Sequence, residues 1–189
     1  VDFIDIHWYW SWSKGSFDLW LEHTPIGLHA YGKNYQMGYG EAIEHIQKTL
    51  DQAGAPNMGV TVLEWNLAPS DYVQTFSESL SALVHAEILM EYLRTDVEIT
   101  CLWPLLWSTS RDVWSEQDYF PSIMTLEAPY RKTRSHDLFR MLAPVQGAKF
   151  VESTADRKDQ PVVTCVKDNK LYIYCLSKNV LRRRVTVNI

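Results

Sequence analysis

The sequence predicts an α/β protein: consecutive βα units of a (β/α)8 barrel, followed by part of an antiparallel β-sandwich. Three observations carry that expectation. A strand–loop–helix order repeats three times, which is the grammar of a parallel sheet. The loops after the strands are long and aromatic, while those after the helices, Gly54-Ala55-Pro56 and Thr95-Asp96, are short. That asymmetry suits a barrel whose post-strand loops build its working face. From Ala143 the pattern changes to short β runs, which separates a barrel portion (residues 1–142) from a sandwich portion (143–189). A doubly wound sheet would also accommodate three units, yet no glycine-rich phosphate loop follows any of the strands, so the barrel is preferred.

The elements follow in order. Val1 to Trp8 carries Val1, Phe3, Ile4 and Ile6 with few breakers, the run of a strand buried on both faces. A loop rich in Gly, Trp, Tyr and His extends from Tyr9 to Gly40. Glu41 to Ala53 sets Ala42, Ile43, Ile46 and Leu50 at helical spacing, with Gly54 where a C-cap belongs. Asn57 to Leu63 is a second strand, its end reaching Glu64-Trp65-Asn66. The turn Ala68-Pro-Ser-Asp71 leads into a helix from Phe76 to Arg94, lined by Leu80, Leu83, Val84, Ile88 and Leu89. Val97 to Trp103 is a third strand, stopped by Pro104, and Tyr130 to Leu142 a third helix. The β runs are Lys149 to Val151, Val162 to Val166, Leu171 to Leu176 and Arg183 to Ile189. Between the second and third of these, Asp168-Asn169-Lys170 reads as a hairpin turn with an Asn suited to positive φ.

Composition narrows the function. Across 189 residues, 18 Lys+Arg against 23 Asp+Glu leave a net charge of -5, which argues against nucleic acid or an anionic membrane surface as partner. Apolar residues at 46% place the chain among folded globular proteins. Aromatic residues reach 13%, with eight Trp, which points to a rich core or to a flat ligand. Cys101, Cys165 and Cys175 are too few for a disulfide framework; a Cys165–Cys175 pair is the alternative to buried free thiols. The six His show no zinc-ligand pattern, and no metal or cofactor is expected. No apolar run is long enough to span a membrane, and no signal-peptide pattern opens the chain. The first strand is already under way at Val1, which reads as a piece of something longer.

The candidate chemistry lies at the strand ends. Glu64 is a carboxylate at the tip of a buried parallel strand, beside Trp65 and Asn66, a costly placement without a role. The first strand ends in His7-Trp8-Tyr9-Trp10 and the third in Leu102-Trp103-Pro104, and strand tips of one barrel converge on a common mouth. Indoles beside a carboxylate suit a sugar ring, whose C–H face stacks while its hydroxyls hydrogen-bond.

The run Val60 to Asn66 resembles the seventh-strand nucleophile segment of retaining (β/α)8-barrel glycoside hydrolases, closest to α-L-arabinofuranosidases and related xylosidase-like and agarase-like enzymes. In those families the sixth strand ends in a His followed by aromatics, matched by His7-Trp8-Tyr9. The eighth often ends in a Trp, matched by Trp103, and the eighth helix leads into a β-sandwich, as Ser135 to Leu142 does here. The resemblance implies strands six to eight of the barrel, with Glu64 as nucleophile of a double displacement. His7 and Tyr9 then orient Glu64 or touch sugar, Trp8 joins them at the mouth, and Trp103 is a stacking platform. It implies a plant or algal polysaccharide or oligosaccharide as substrate and, from that class alone, an extracellular or periplasmic location. The acid/base Glu of the family follows an Asn, and no Asn-Glu pair occurs in the sequence. It is therefore expected upstream of this chain. The fragment alone is expected to be inactive, and to self-associate or be complemented by the missing N-terminal half.

Each residue also has a plainer reading. Glu64 suits a structural carboxylate, His7 a rim histidine, and Trp8, Trp10, Trp12 and Trp20 a loop cover. Trp107 and Trp114 are further rim candidates. Glu22, Glu116 and Asp118 are loop acids whose default is solvated surface, as is that of Arg182 to Arg184. The competing functional class is a non-catalytic carbohydrate-binding protein using the same indoles.

Overall fold

The computed structural model describes residues 3–10, 20, 27–28, 37–67, 76–107, 120–157, 159–178 and 186. Within them the chain is mixed α/β. Strands β1 (Phe3–Trp10), β4 (Gly59–Leu67) and β5 (Val97–Leu102) form a parallel sheet in the order β1-β4-β5. Two short pairs are β2 (Gly27–Leu28) with β3 (Met37–Gly38), and β6 (Leu106–Trp107) with β7 (Met124–Thr125). Helices α1 (Tyr39–Gln52), α2 (Glu78–Leu93) and α3 (Arg134–Leu142) pack on one face of the parallel sheet. No closed barrel forms among the described residues.

The core explains that layering. Ile4, Ile6, Trp8 and Trp10 alternate along β1 and point into one cluster with Val60, Val62, Trp65, Ile43, Val84, Ile88 and Leu138. Trp65 is fully buried, edge-on to His85 and Tyr92 and stacked on Phe139. Phe3, Asp5 and His7 take the opposite face and are exposed. β1 is thus an alternating strand, where the sequence suggested burial on both faces. It also continues through Tyr9 and Trp10, residues expected in the loop.

Helix ends follow local chemistry. Ser77 caps α2, its hydroxyl accepting the Leu80 amide at 3.2 Å. Gly54 lies just past α1 at φ +83°, as the C-cap reading requires. α3 begins at Arg134, later than expected, because Tyr130 sits at φ 54° and interrupts the helical path.

The antiparallel sheet has the order β10-β9-β8, from β8 (Lys149–Val151), β9 (Val162–Lys167) and β10 (Lys170–Cys175). Asp168 and Asn169 both take positive φ, which joins β9 to β10 by the tight turn read from the sequence. Its inner residues Val163 and Cys165 pack with Val145, Leu176 and Met90 of α2, so the residues on either side of the 142/143 boundary share a core. Cys165 pairs across the ladder with Tyr172, and Cys175 with Val162. All three cysteines are free. Of the expected last strand, 183–189, only Thr186 is described. The turn Ala68 to Asp71 lies outside the described residues, as do Val1, Trp12, Trp114, Glu22, Glu116, Asp118 and Arg182 to Arg184.

Candidate functional site

The site is built on a register break. From Asp5 to His7, β1 advances two residues while its partner β4 advances three, from Thr61 to Glu64. β4 makes the same extra step against β5 between Val62 and Trp65. An inserted residue reverses the alternation of a strand, so Thr61 and Glu64, three apart, both face the side of Asp5 and His7. Without the bulge the Glu64 carboxylate would point into the helical layer.

Glu64 then receives two groups from β1. The Tyr9 hydroxyl donates to Glu64 Oε2 at 2.9 Å, and His7 Nδ1 lies 3.2 Å from the same oxygen. Among the described residues nothing occupies Oε1. Burial, then the bond and charge of Glu64, push the Tyr9 phenol well above its ordinary range, so it remains a donor. The side chain of Glu64 is 35% exposed, open enough to meet a ligand.

Asp5 completes the arrangement, and sequence reasoning missed it. Its Oδ2 lies 3.0 Å from His7 Nε2, while Oδ1 accepts the Leu63 amide at 3.0 Å and the Thr61 hydroxyl at 3.2 Å. Partial desolvation pushes the Asp5 carboxyl up, but the Leu63 amide, Thr61 and His7 outweigh it and hold it below the usual carboxylate value. The signal was available: Asp5 stands two residues before His7, on the same face of one strand.

The aromatic wall lies beside Tyr9. Its ring is 5.7 Å from Phe120, which lies 4.8 Å edge-on from Trp103; Trp107 is 5.4 Å from both. Phe120 is a second residue not foreseen. Trp103 is held from behind: the Asn66 amide donates to the Trp103 carbonyl at 2.6 Å and to the Pro121 carbonyl at 2.7 Å. Asn66 is in turn fixed by His85, and His85 by Ser135, each at 2.9 Å.

His7, Tyr9 and Glu64 thus meet directly, and Trp103 joins them through Phe120. Trp8 does not: it lies on the helical face, edge-on to Tyr39 at 5.5 Å. Trp10 and Trp20 are buried in the core. Among the described residues, no three His, Cys, Asp or Glu side chains are placed to hold a metal ion. None of the described helices is long and apolar enough to cross a membrane.

Neither protein-family models nor curated proteins give a match to this chain. The chemical reading therefore rests on geometry. A carboxylate with one oxygen anchored by two groups and the other unoccupied among the described residues, beside an aromatic wall, is equipped to bind or attack an electrophilic carbon of a ring-shaped ligand.

Proposed function

We propose that this chain is the strand-six-to-eight portion of a retaining (β/α)8-barrel glycoside hydrolase, arabinofuranosidase- or xylosidase-like, continuing into a β-sandwich. The observation that carries the reading is the convergence of Tyr9 and His7 on Oε2 of Glu64, with Oε1 unoccupied among the described residues. The parallel order β1-β4-β5 supports it, because Glu64 and Tyr9 lie toward the carboxyl ends of their strands, where such sheets bind ligands.

On this reading Glu64 Oε1 attacks the anomeric carbon as the glycosidic C–O bond breaks. The leaving oxygen takes its proton from an acid/base Glu contributed by another barrel unit, about 5–5.5 Å from Glu64. Water, losing its proton to that same residue, then displaces Glu64. The Tyr9 hydroxyl fixes which oxygen is nucleophilic, and the Trp103–Phe120 wall offers a stacking face to the sugar or to its neighbour in the chain. The substrate is a plant or algal polysaccharide or an oligosaccharide derived from it, and the enzyme acts outside the cytoplasm. The open sheet is completed by further βα units, through complementation or self-association.

Intact-protein mass spectrometry with 2-deoxy-2-fluoro glycosides tests this. Arabinosyl, xylosyl, glucosyl and galactosyl donors are incubated with the chain alone and with polypeptide supplying the remaining barrel units. One glycosyl adduct on Glu64 in the completed form, absent in Glu64→Gln, is the expected result. No adduct with any donor, together with sugar binding that survives Glu64→Gln, would replace the enzyme by a carbohydrate-binding protein.

A further inference from the structure

We propose that Asp5 is the positioning residue of this site, one carboxylate that fixes the β4 bulge and the His7 imidazole together and so aims both at Glu64. Only the catalytic consequence rests on Glu64 being the nucleophile; the positioning itself does not.

The argument begins at the bulge. An inserted residue leaves a strand amide without its ladder partner, and here the Leu63 amide turns to Asp5 Oδ1 at 3.0 Å. Thr61, on the near side of the bulge, donates its hydroxyl to the same oxygen at 3.2 Å. The Thr61 hydroxyl also lies 3.4 Å from the Ile4 carbonyl; with Oδ1 accepting from the Leu63 amide, Oδ2 is left facing His7 Nε2 at 3.0 Å. An ionised carboxylate only accepts, so this contact is a hydrogen bond only when that nitrogen carries the hydrogen.

The other ring nitrogen, Nδ1, faces Glu64 Oε2. A neutral imidazole has one N–H for two carboxylates. Among the described residues the ring is the one donor facing Asp5 Oδ2, whereas Glu64 Oε2 also accepts the Tyr9 hydroxyl whichever way the ring is protonated. The neutral ring therefore gives its hydrogen to Asp5, and the imidazolium serves both carboxylates. In either form the ring plane is set by Asp5, and Oε2 is the oxygen of Glu64 that faces it. Among the described residues, Oε1 remains the oxygen without a donor.

Asp5→Asn separates positioning from bulk structure. The donors at Oδ1 keep the Asn oxygen on their side, which turns its NH2 group toward His7 Nε2. That nitrogen must then accept, and the neutral ring moves its hydrogen to Nδ1. Two-bond ¹H–¹⁵N spectra of the imidazole, recorded at alkaline pH on the full chain, distinguish the tautomers. The expected result is Nε2–H in the parent and Nδ1–H in Asp5→Asn, with backbone spectra otherwise alike. Amide exchange at Leu63 should accelerate at least about tenfold in Asp5→Ala and stay protected in Asp5→Asn. An Nδ1–H parent, the same tautomer in both proteins, or unchanged Leu63 exchange in Asp5→Ala overturns the proposal. If Asp5→Ala does not fold, the tautomers decide it. No sugar enters these measurements, so failure of the glycoside labelling and failure of the positioning role are read separately.

Discussion

The side-chain oxygen of Asn66 accepts from Nε2 of His85 at 2.9 Å, with both residues fully buried. The direction follows from the rest of the Asn66 amide, whose nitrogen already donates to the Trp103 and Pro121 carbonyls. His85 Nδ1 must then accept from the Ser135 hydroxyl. This chain of bonds runs from α3 through α2 to the tips of β4 and β5, and burial keeps its imidazole neutral.

Acid should therefore loosen the fold through His85. Burial pushes its pKa down to about 3, against about 6.5 in an unfolded chain. The unfolded state takes up a proton that the folded state refuses. The stabilisation is complete above about pH 6.5 and is lost as pH falls toward about 3, in total several kcal/mol. Urea midpoints measured from about pH 7 to about pH 4 should fall steeply in the parent and less steeply in His85→Gln. Equal slopes would remove His85 from the account.

Asn66 is expected to tolerate almost nothing. Asn66→Asp keeps the shape but has no hydrogen to give the carbonyls of Trp103 and Pro121, both of which would face a carboxylate. Unsatisfied buried groups cost about 1–3 kcal/mol each, so a loss of about 3 kcal/mol or more is expected by urea denaturation. Trp103 should redden in emission as its carbonyl anchor is released, a change that a remote core substitution of equal cost would not produce.

Much of this was legible in the sequence because side-chain period and strand-end chemistry are local. The βα order and the hairpin at Asp168-Asn169 follow from spacing, and converging strand tips bring His7, Tyr9 and Glu64 to one mouth; that His7 and Tyr9 orient Glu64 was implied by the glycoside-hydrolase resemblance. The bulge was not legible, since an inserted residue in β4 is defined only against β1 and β5. Trp8 shows the consequence of strand alternation: it neighbours His7 in sequence and lies on the opposite face of the sheet. Asp5 and Phe120 were passed over for different reasons. Asp5 lies in a strand read for its apolar residues, and Phe120 approaches Tyr9 only through tertiary packing.

The start of β4 is fitted closely to β1. A Cβ at Gly59 would lie 2.7 Å from Cδ1 of Phe3, its partner in register, and 3.1 Å from Cγ of Glu98. Gly59→Ala should therefore destabilise by about 1 kcal/mol through displacement of the Phe3 ring. In a Phe3→Ala background the same change should become neutral or stabilising, because Ala is a better strand residue than Gly. A double-mutant cycle with no coupling would contradict the contact.

Alkali should act through buried phenols. Burial raises Tyr39 and Tyr92, and Tyr9 is raised by burial and by Glu64. Their folded values exceed the unfolded value of about 10, so their stabilisation is intact below about pH 10 and is lost as pH rises further. Absorbance titration should show these phenolates appearing together with loss of the circular dichroism signal, after the exposed tyrosines. The Tyr39 hydroxyl has no partner among the described residues. Tyr39→Phe should thus be neutral or stabilising by about 1 kcal/mol and should move alkaline unfolding upward.

The junction between the two sheets carries a buried charge pair. Lys178 Nζ lies 2.8 Å from Glu87 Oε2, with both side chains at most 3% exposed. The ammonium also stands 5.0 Å above the Trp20 ring. Desolvation lowers the Lys178 pKa, and Glu87 opposes that shift as the nearest anion. Such a pair adds little net stability over an apolar contact of the same shape, yet removal of one partner leaves the other charge buried without that counter-ion. Lys178→Met takes the ammonium away from the buried Glu87 carboxylate, which keeps the Trp20 indole N–H as a donor, and should cost about 3–5 kcal/mol. The double change Glu87→Gln with Lys178→Met should recover at least half of that, since the amide tolerates burial where the anion does not. Urea midpoints for the four proteins measure both quantities. A Lys178→Met chain within about 1 kcal/mol of the parent would mean that Glu87 finds water or a proton there, and that the pair does not bind the antiparallel sheet to α2.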